Sequence, residues 1–492
     1  MTDASPAFRP KARKPRGFPD RRVETLALEQ RIIAIAGGVY ERWGFDRLET
    51  GAFEYADCLG KFLPDQDRPN EGVFSVEDDD KQWMALRYDL TAPLARFVAE
   101  NHDKVPRPFR RWAAGPVWRN EKPGPGRFRE FLQCDADSVG APGPAADAEM
   151  IAMALEALAA IGLPEDAVAV KINTRKALNA VLDQAGGADP QARLVILRAI
   201  DKLDRLGEAG VAQLLGPGRK DDSGDFTKGA GLPDDKIALI LGFLNAGRGD
   251  RTASLAQLAP LLAGHADGEE ALADLAAIDA VLTALGVTGA RAPIDPSIVR
   301  GLEYYTGAVF EAQAALPHSG ADGAAIQVGS IGGGGRYDDL VARFRGEKLP
   351  ATGFSIGVSR LATLLALHHA ATQIGPVVVL PLEPSLTADG FLLAAQLRAA
   401  GMRAEVYLGG AGMKAQLKYA DRRNAPAALM LGSDEAARGV VSVKDLALGA
   451  ALAKNIASNE EWRKGQPAQT EVARADIVAA VAAILAQSGA AP

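Results

Sequence analysis

The stretch Trp118–Asp137, "WRNEKPGPGRFREFLQCDAD", decides how this chain is read. With "RRWAAGPVWRN" it gives two strand-like runs flanking a Gly/Pro loop, the pattern of an antiparallel hairpin. Residues two apart on a strand share a face, so Arg127, Arg129 and Phe131 form a row that Gln133, Asp135 and Asp137 continue. A guanidinium fork matches phosphate oxygens in pairs, and a phenyl ring can stack on a nucleobase. A solvated hairpin laced by cross-strand ion pairs is the alternative.

Upstream, "FSVEDDDKQWMALRYDL" reads as two strands around an acidic turn, and Val23, Leu26, Ile33 and Val39 mark a helical stripe between Arg22 and Trp43. "TAPLARFVAEN" reads as a helix with Thr91 as N-cap and Pro93 in its first turn. Asp89 and Thr91 then sit at a strand-to-helix turn, where they can bind an ammonium group or merely cap the helix. Downstream, "DAEMIAMALEALAAIG" is an amphipathic helix. Strands come first and helices surround them, which predicts an α+β core on an antiparallel sheet.

The expected division is a first core part over 1–163, a mostly helical insertion over 164–292, and a second core part over 293–372. A separate unit follows over 373–465, then a C-terminal helix and tail over 466–492. In the separate unit, "VVVLPL", "RAEVYL" and "AALMLG" alternate with helical runs, predicting an α/β domain with a largely parallel sheet.

Composition narrows the function. A chain of 492 residues with 48% hydrophobic content can bury several cores. Its net charge of −7 offers no global field for nucleic acid, so an RNA partner must be met by local patches. The first 22 residues are one such patch, with seven Lys/Arg against two Asp and prolines that oppose a helix. A solvated basic tail is the other reading of that arm. No apolar run reaches the ~18 residues of a membrane helix, and no signal peptide is visible. Cys58 and Cys134 give no disulfide or zinc framework, and the five histidines lack metal-ligand spacing, so the expected compartment is the cytoplasm.

Three further segments carry chemistry. "SIVRGLEYYTGAVFEA" places Arg300 in an apolar run where a buried guanidinium needs an anion, either a ligand or an internal carboxylate such as Glu303. Tyr304 and Tyr305 follow; on a strand they point to opposite faces. "GGGGRYDDL" is no dinucleotide fingerprint, because Tyr337 replaces the last required glycine; the glycines allow close backbone approach instead. "GFSIGVSRL" puts Arg360 just inside a helix.

Taken together and in this order, these segments resemble the histidyl-tRNA synthetases, class II aminoacyl-tRNA synthetases. "GPVWRNEKPGPGRFREFLQ" is similar to the class II hairpin that holds ATP, and "GFSIGVSRL" to the third class II signature. "RGLEYYTGAVFE" and "GGGGRYDDL" are similar to the two signatures specific to the histidine enzymes. The resemblance runs from about Phe18 to Leu448 and is weakest between Ala177 and Arg291.

The resemblance implies a class II antiparallel-sheet catalytic core with a helical insertion and a C-terminal α/β anticodon-binding domain. It implies ATP and L-histidine as substrates, Mg²⁺ with the ATP, tRNA(His) as acceptor, and a homodimer joined through the first helix and strand. By the same resemblance Asp89, Leu90, Thr91 and Gln133 hold the histidine α-amino end, while Asp137, Tyr304 and Tyr305 read the imidazole. Arg119 grips the α-phosphate and the substrate carboxylate, with Arg300 facing it. Glu121, Arg127 and Phe131 hold the rest of ATP, Arg360 meets the γ-phosphate, and Gly332 to Gly335 floor the histidine pocket. Lys414, Lys418, Arg422 and Arg423 become candidate tRNA phosphate contacts. "QCDAD" is closer to the eukaryotic form of its stretch than to the usual bacterial one, a departure that bears on how the tRNA acceptor end is read. The competing reading is a non-catalytic synthetase-like regulatory subunit of ATP phosphoribosyltransferase, a class that lacks the anticodon-binding domain.

Overall fold

A computed structural model describes residues 9–59, 72–124, 127–187, 189–220, 224–247, 249–299, 305–315, 328–368, 374–453 and 468–487. Two compact units divide the chain, residues 1–369 and 370–492.

The first unit opens with α1 (Val23–Arg42), then β1 (Asp46–Arg47), β2 (Phe53–Tyr55), β3 (Ser75–Glu77), β4 (Trp83–Leu86) and α2 (Thr91–Glu100). The hairpin strands are β5 (Phe109–Trp118) and β6 (Glu130–Val139), followed by α3 (Pro144–Ile161) and β7 (Val168–Thr174). Next come α4 (Arg175–Gln184), α5 (Pro190–Ile200), α6 (Leu203–Leu215), a small hairpin β8 (Gly218–Lys220) and β9 (Phe226–Lys228), then α7 (Asp234–Asn245), α8 (Arg251–Leu262) and α9 (Ala266–Ala284). The unit closes with β10 (Ala308–Ala314), β11 (Val328–Arg336), α10 (Ala342–Arg345), β12 (Ala351–Gly357) and α11 (Val358–His368).

A seven-stranded sheet in the order β1-β5-β6-β12-β11-β10-β7 is the frame, antiparallel except for the β1–β5 pair. Its core face is apolar: Cys134 and Ala136 of β6 pack with Trp112, Phe354 and Ile356 beneath α1, α3 and α11. Helix α3 is bounded by local chemistry. Pro144 occupies its first turn, and Gly162, at φ 109, ends it in the left-handed conformation a glycine adopts without strain.

Several expectations are corrected. On α1 the buried face is Glu29, Ile32, Ala36, Val39 and Tyr40, whereas Val23 and Leu26 are exposed. The stripe is therefore turned relative to the one read from Val23, Leu26 and Ile33. Thr91 is the first residue of α2 rather than its cap; Asp89 caps, its Oδ1 accepting from the Thr91 and Ala92 amides at 3.1 and 2.8 Å. The segment expected to be an insertion begins with β7, which pairs along its whole length with β10 as the sheet's edge strand.

The second unit contains β13 (Val377–Pro381), α12 (Thr387–Ala399), β14 (Ala404–Val406), α13 (Met413–Arg422), β15 (Ala427–Leu431), α14 (Ser433–Arg438), β16 (Val440–Asp445), α15 (Leu446–Ala453), β17 (Gln469–Ala473) and α16 (Ile477–Gln487). Strand order is β14-β13-β15-β16-β17. Only β14-β13-β15 is parallel; β15–β16 and β16–β17 are antiparallel, so the sheet is mixed. The connection from β15 to β16 is short, whereas a parallel crossover needs roughly a dozen residues or more.

Candidate active site

The site grows from the register of β6 between β5 and β12. Gln133, Asp135 and Asp137 stand opposite Gly115, Ala113 and Arg111 on one side, and opposite Gly357, Ser355 and Gly353 on the other. Because side chains alternate, this polar row occupies the sheet face opposite Cys134 and Ala136. All three polar residues are buried. A polar row taken out of water must find partners or present itself to a ligand.

Part of it is satisfied internally. Gln133 Nε2 donates to Ser355 Oγ at 2.7 Å, which turns its Oε1 away as an acceptor. Asp137 Oδ1 accepts from the Tyr337 hydroxyl, and its Oδ2 lies 3.2 Å from Arg111 Nη2. Arg111 also donates to the Leu90 carbonyl at 2.5 Å, tying the turn before α2 to this row. Gln133 Oε1 and Asp135 Oδ1 nevertheless lack a hydrogen-bond donor, and Asp137 Oδ2 has the Arg111 guanidinium as its charge partner. Burial, reinforced by the Asp137 charge, pushes the Asp135 carboxyl up to about 8. Burial also raises Asp137, against the pull of Arg111 and the hydroxyls of Tyr337 and Thr91.

Of the other expected residues, Asp89, Tyr305 and Arg119 gather near this row, whereas Glu121, Arg127 and Arg360 make contacts elsewhere. Asp89 lies within electrostatic range of both Arg119 and Asp137. Tyr305 is raised first by burial and then by the charges of Asp89, Asp137 and Asp135. Arg119 is fixed by its Nε, which donates to the Tyr88 carbonyl at 3.1 Å, and its guanidinium lies 5.2 Å from the centre of the Phe131 ring. Arg127 and Glu121 stand exposed on the hairpin loop, 3.9 Å apart. Arg360, in the first turn of α11, donates to the Ser330 carbonyl at 2.6 Å. Arg300 and Tyr304 lie outside the described residues.

The glycine run is only partly a floor. Gly333 and Gly335 pair with Ser355 and Gly353, so they lie on the face of the polar row. Gly332 and Gly334 pair with Ile356 and Phe354 and lie on the core face, where a Cβ would meet Phe354. Strand alternation divides the run between ligand face and core. Arg111, Asp135, Ser355 and Tyr337 are site residues that the sequence reading did not assign. Only Asp135 carried a signal, its place in the alternating row; Arg111 arrives through the register of the hairpin partner strand, and Ser355 and Tyr337 come from segments about 200 residues further along the chain.

In the second unit Lys414, Lys418 and Arg422 are exposed on α13 at i, i+4, i+8 spacing, which aligns them on one helix face. Arg423 is not free for the same task. It holds Glu405 through two hydrogen bonds of 2.8 and 2.9 Å, and this pair lowers the Glu405 carboxyl.

A family model described as histidyl-tRNA synthetase matches residues 17–361, and one described as an anticodon binding domain matches 376–481. A histidine–tRNA ligase of Caulobacter vibrioides is 57% identical over 482 residues, covering 97% of this chain and 97% of that protein. One of Brucella ovis is 52% identical over 490 residues, covering 98% and 97%. The crystal structure of histidyl-tRNA synthetase from Nostoc sp. superposes with a TM-score of 0.68 at 28% identity, over 96% of this chain and 99% of that one.

Proposed function

The chain belongs to the histidyl-tRNA synthetase family, and from that premise we infer that the polar row of β6 and the arginines of its hairpin carry a two-step ligation. The enzyme activates L-histidine with ATP to histidyl-adenylate and pyrophosphate, then passes histidine to the 3′ end of tRNA(His). The observation that carries the residue assignment is the acceptor row on one buried strand face, where Gln133 Oε1 and Asp135 Oδ1 have no hydrogen-bond donor and Asp137 Oδ2 is paired with Arg111. An amino acid with an ammonium group and an imidazole N–H supplies donors for such a face.

In this reading Asp89, Leu90, Thr91 and Gln133 receive the α-amino end. Asp137, held by Arg111 and Tyr337, accepts from the imidazole ring beside Tyr304 and Tyr305. Gln133 suits its role because Ser355 fixes which end of the amide faces the ligand. Phe131 takes the adenine, Glu121 and Arg127 the remainder of the nucleotide, and Arg360 the γ-phosphate.

The first step brings a carboxylate oxygen to the α-phosphorus, forming an O–P bond while the bond to pyrophosphate breaks. Two anions approach each other, so fixed cations must offset the repulsion and meet the charge that develops. Arg119 fits that role, since Tyr88 and Phe131 hold it in place before substrate arrives. Arg300 is assigned the opposing side. In the second step the tRNA terminal hydroxyl attacks the adenylate carbonyl and AMP leaves.

Mg²⁺ is assigned to the ATP substrate. It is usually held by phosphates and one or two carboxylates, and Glu121 supplies a carboxylate on the hairpin loop. There it would neutralise the departing pyrophosphate.

A non-catalytic regulatory subunit is disfavoured by the anticodon-binding match over 376–481 and by the identity to histidine–tRNA ligases along nearly the whole chain. We assign Lys414, Lys418 and Arg422 to tRNA phosphates, a homodimer as the working assembly, and the cytoplasm as its compartment. None of the described helices is long and apolar enough to cross a membrane. The assay is charging of a tRNA(His) transcript with labelled histidine. Charging that requires ATP and this tRNA is expected; its absence with folded protein would refute the assignment.

A further inference from the structure

The basic N-terminal arm has no part in the chemistry above, yet it is not a loose tail. Between residues 9 and 22 it carries Arg9, Lys11, Arg13, Lys14, Arg16, Arg21 and Arg22 against Asp20 alone. Its end is fastened to the hairpin. The Gly17 carbonyl accepts from the Arg129 amide at 2.8 Å and from the Glu130 amide at 3.4 Å. Gly17 has φ +85, and a Cβ there would come within 2.8 Å of Arg129 Cγ, so the contact is built for glycine. Phe18 packs edge-on against Phe74 at 5.5 Å, and Arg21 reaches the buried Glu29 at 3.1 Å and Glu130 at 3.8 Å.

The fastening point lies close to the chemistry. The Arg129 carbonyl accepts from the Arg119 amide at 2.9 Å, so one residue separates the docked arm from the arginine assigned to the α-phosphate. Beyond Gly17 the arm holds Arg9, Lys11, Arg13, Lys14 and Arg16, all exposed. Lys14 pairs with exposed Asp20 at 3.5 Å; the other four have no ion pair among the described residues. Pro10 and Pro15 keep this run extended rather than helical.

Five like charges along an exposed, extended run repel one another, and a polyanion bound there relieves that repulsion. ATP is a single small anion and already has Arg119, Arg127 and Arg360. The remaining substrate is an RNA whose 3′ end must reach Arg119, which brings its acceptor stem past the hairpin. We propose that the arm from Arg9 to Arg16, moored by Gly17 to the hairpin, binds the sugar-phosphate backbone of the tRNA acceptor stem. These contacts are sequence-independent and position the stem rather than identify it. The proposal rests on the ligase reading above.

The test uses the full chain carrying Lys11→Ala, Arg13→Ala and Lys14→Ala together, with two RNA probes. One is whole tRNA(His); the other is a minihelix of its acceptor and adjoining stem without the anticodon. Binding is measured from 50 to 300 mM KCl, and histidine-dependent ATP–pyrophosphate exchange is measured in parallel. The variant should exchange like the parent and bind the minihelix about tenfold more weakly at the lowest salt. The slope of log K against log salt should fall by about 2–3, the value for three lost phosphate contacts. A Lys11→Arg, Lys14→Arg variant should bind like the parent. Unchanged minihelix affinity and slope in the triple variant would overturn the proposal, even if whole tRNA bound less well. Exchange that ignores histidine in the parent would instead sink the ligase reading, and the minihelix measurement would still decide whether the arm binds RNA.

Discussion

Gly353→Ala strikes the imidazole-reading end of the site through one methyl group. Built on this backbone, the new Cβ would sit 2.1 Å from Asp137 Oδ1, 2.8 Å from its Cγ and 3.0 Å from the Ala136 carbonyl oxygen. Ordinary contact needs about 3.4 Å, so the carboxylate must retreat by about 1 Å. It has little room to do so, because Tyr337 holds Oδ1 and Arg111 lies 3.2 Å from Oδ2. Misplacing a substrate-orienting group by about 1 Å costs about 10²-fold in rate, and overpacking costs about 1–3 kcal/mol of stability. The assay is kcat/KM for histidine in ATP–pyrophosphate exchange, with a thermal melt on the same preparation. The expected result is a folded protein with a lower Tm, a loss of about 10² for histidine and a nearly unchanged KM for ATP. A folded variant within threefold of the parent would show that Asp137 does not read the substrate.

Asp135 offers a pH test. Its carboxyl is pushed up to about 8, so between about pH 4 and 8 the folded state keeps a proton that the unfolded chain has released. The associated stability is complete at low pH and is lost as pH rises through 8, by at most about 1.4 kcal/mol per pH unit. Asp135→Asn removes that dependence, so the parent should lose stability relative to the variant between pH 5 and 8; parallel denaturation curves would refute the assignment. Arg300→Ala should slow single-turnover adenylate formation by about 10²–10³ with Tm little changed, and Arg300→Lys should rescue only part, because a point charge does not copy the planar fork. Near-normal adenylation by folded Arg300→Ala would remove it from the mechanism. A chain ending at Gly375 should retain much of its exchange activity but charge tRNA poorly; unimpaired charging would deny the second unit its role.

The hairpin was legible because two local signals coincide there, a Gly/Pro loop and side chains alternating with period two. Those signals place Gln133, Asp135 and Asp137 on one face without any tertiary information. Their partners were not legible in the same way. Arg111 meets Asp137 through strand register, and Tyr337 reaches it from 200 residues away along the chain. The four glycines show the opposite limit: a run without side chains carries no sign of which members face the core. On α1, leucine and valine near the start suggested a stripe that Ile32, Ala36 and Tyr40 actually form. Arg423 looked like its basic neighbours until the fold brought Glu405 from β14 against it.

Whether this site selects histidine and joins it to AMP is decided by ATP–pyrophosphate exchange run separately with each of the twenty amino acids. Histidine alone should drive exchange, at a rate well above the background without amino acid. Exchange driven by another amino acid, or by none in a folded protein, would contradict that selection.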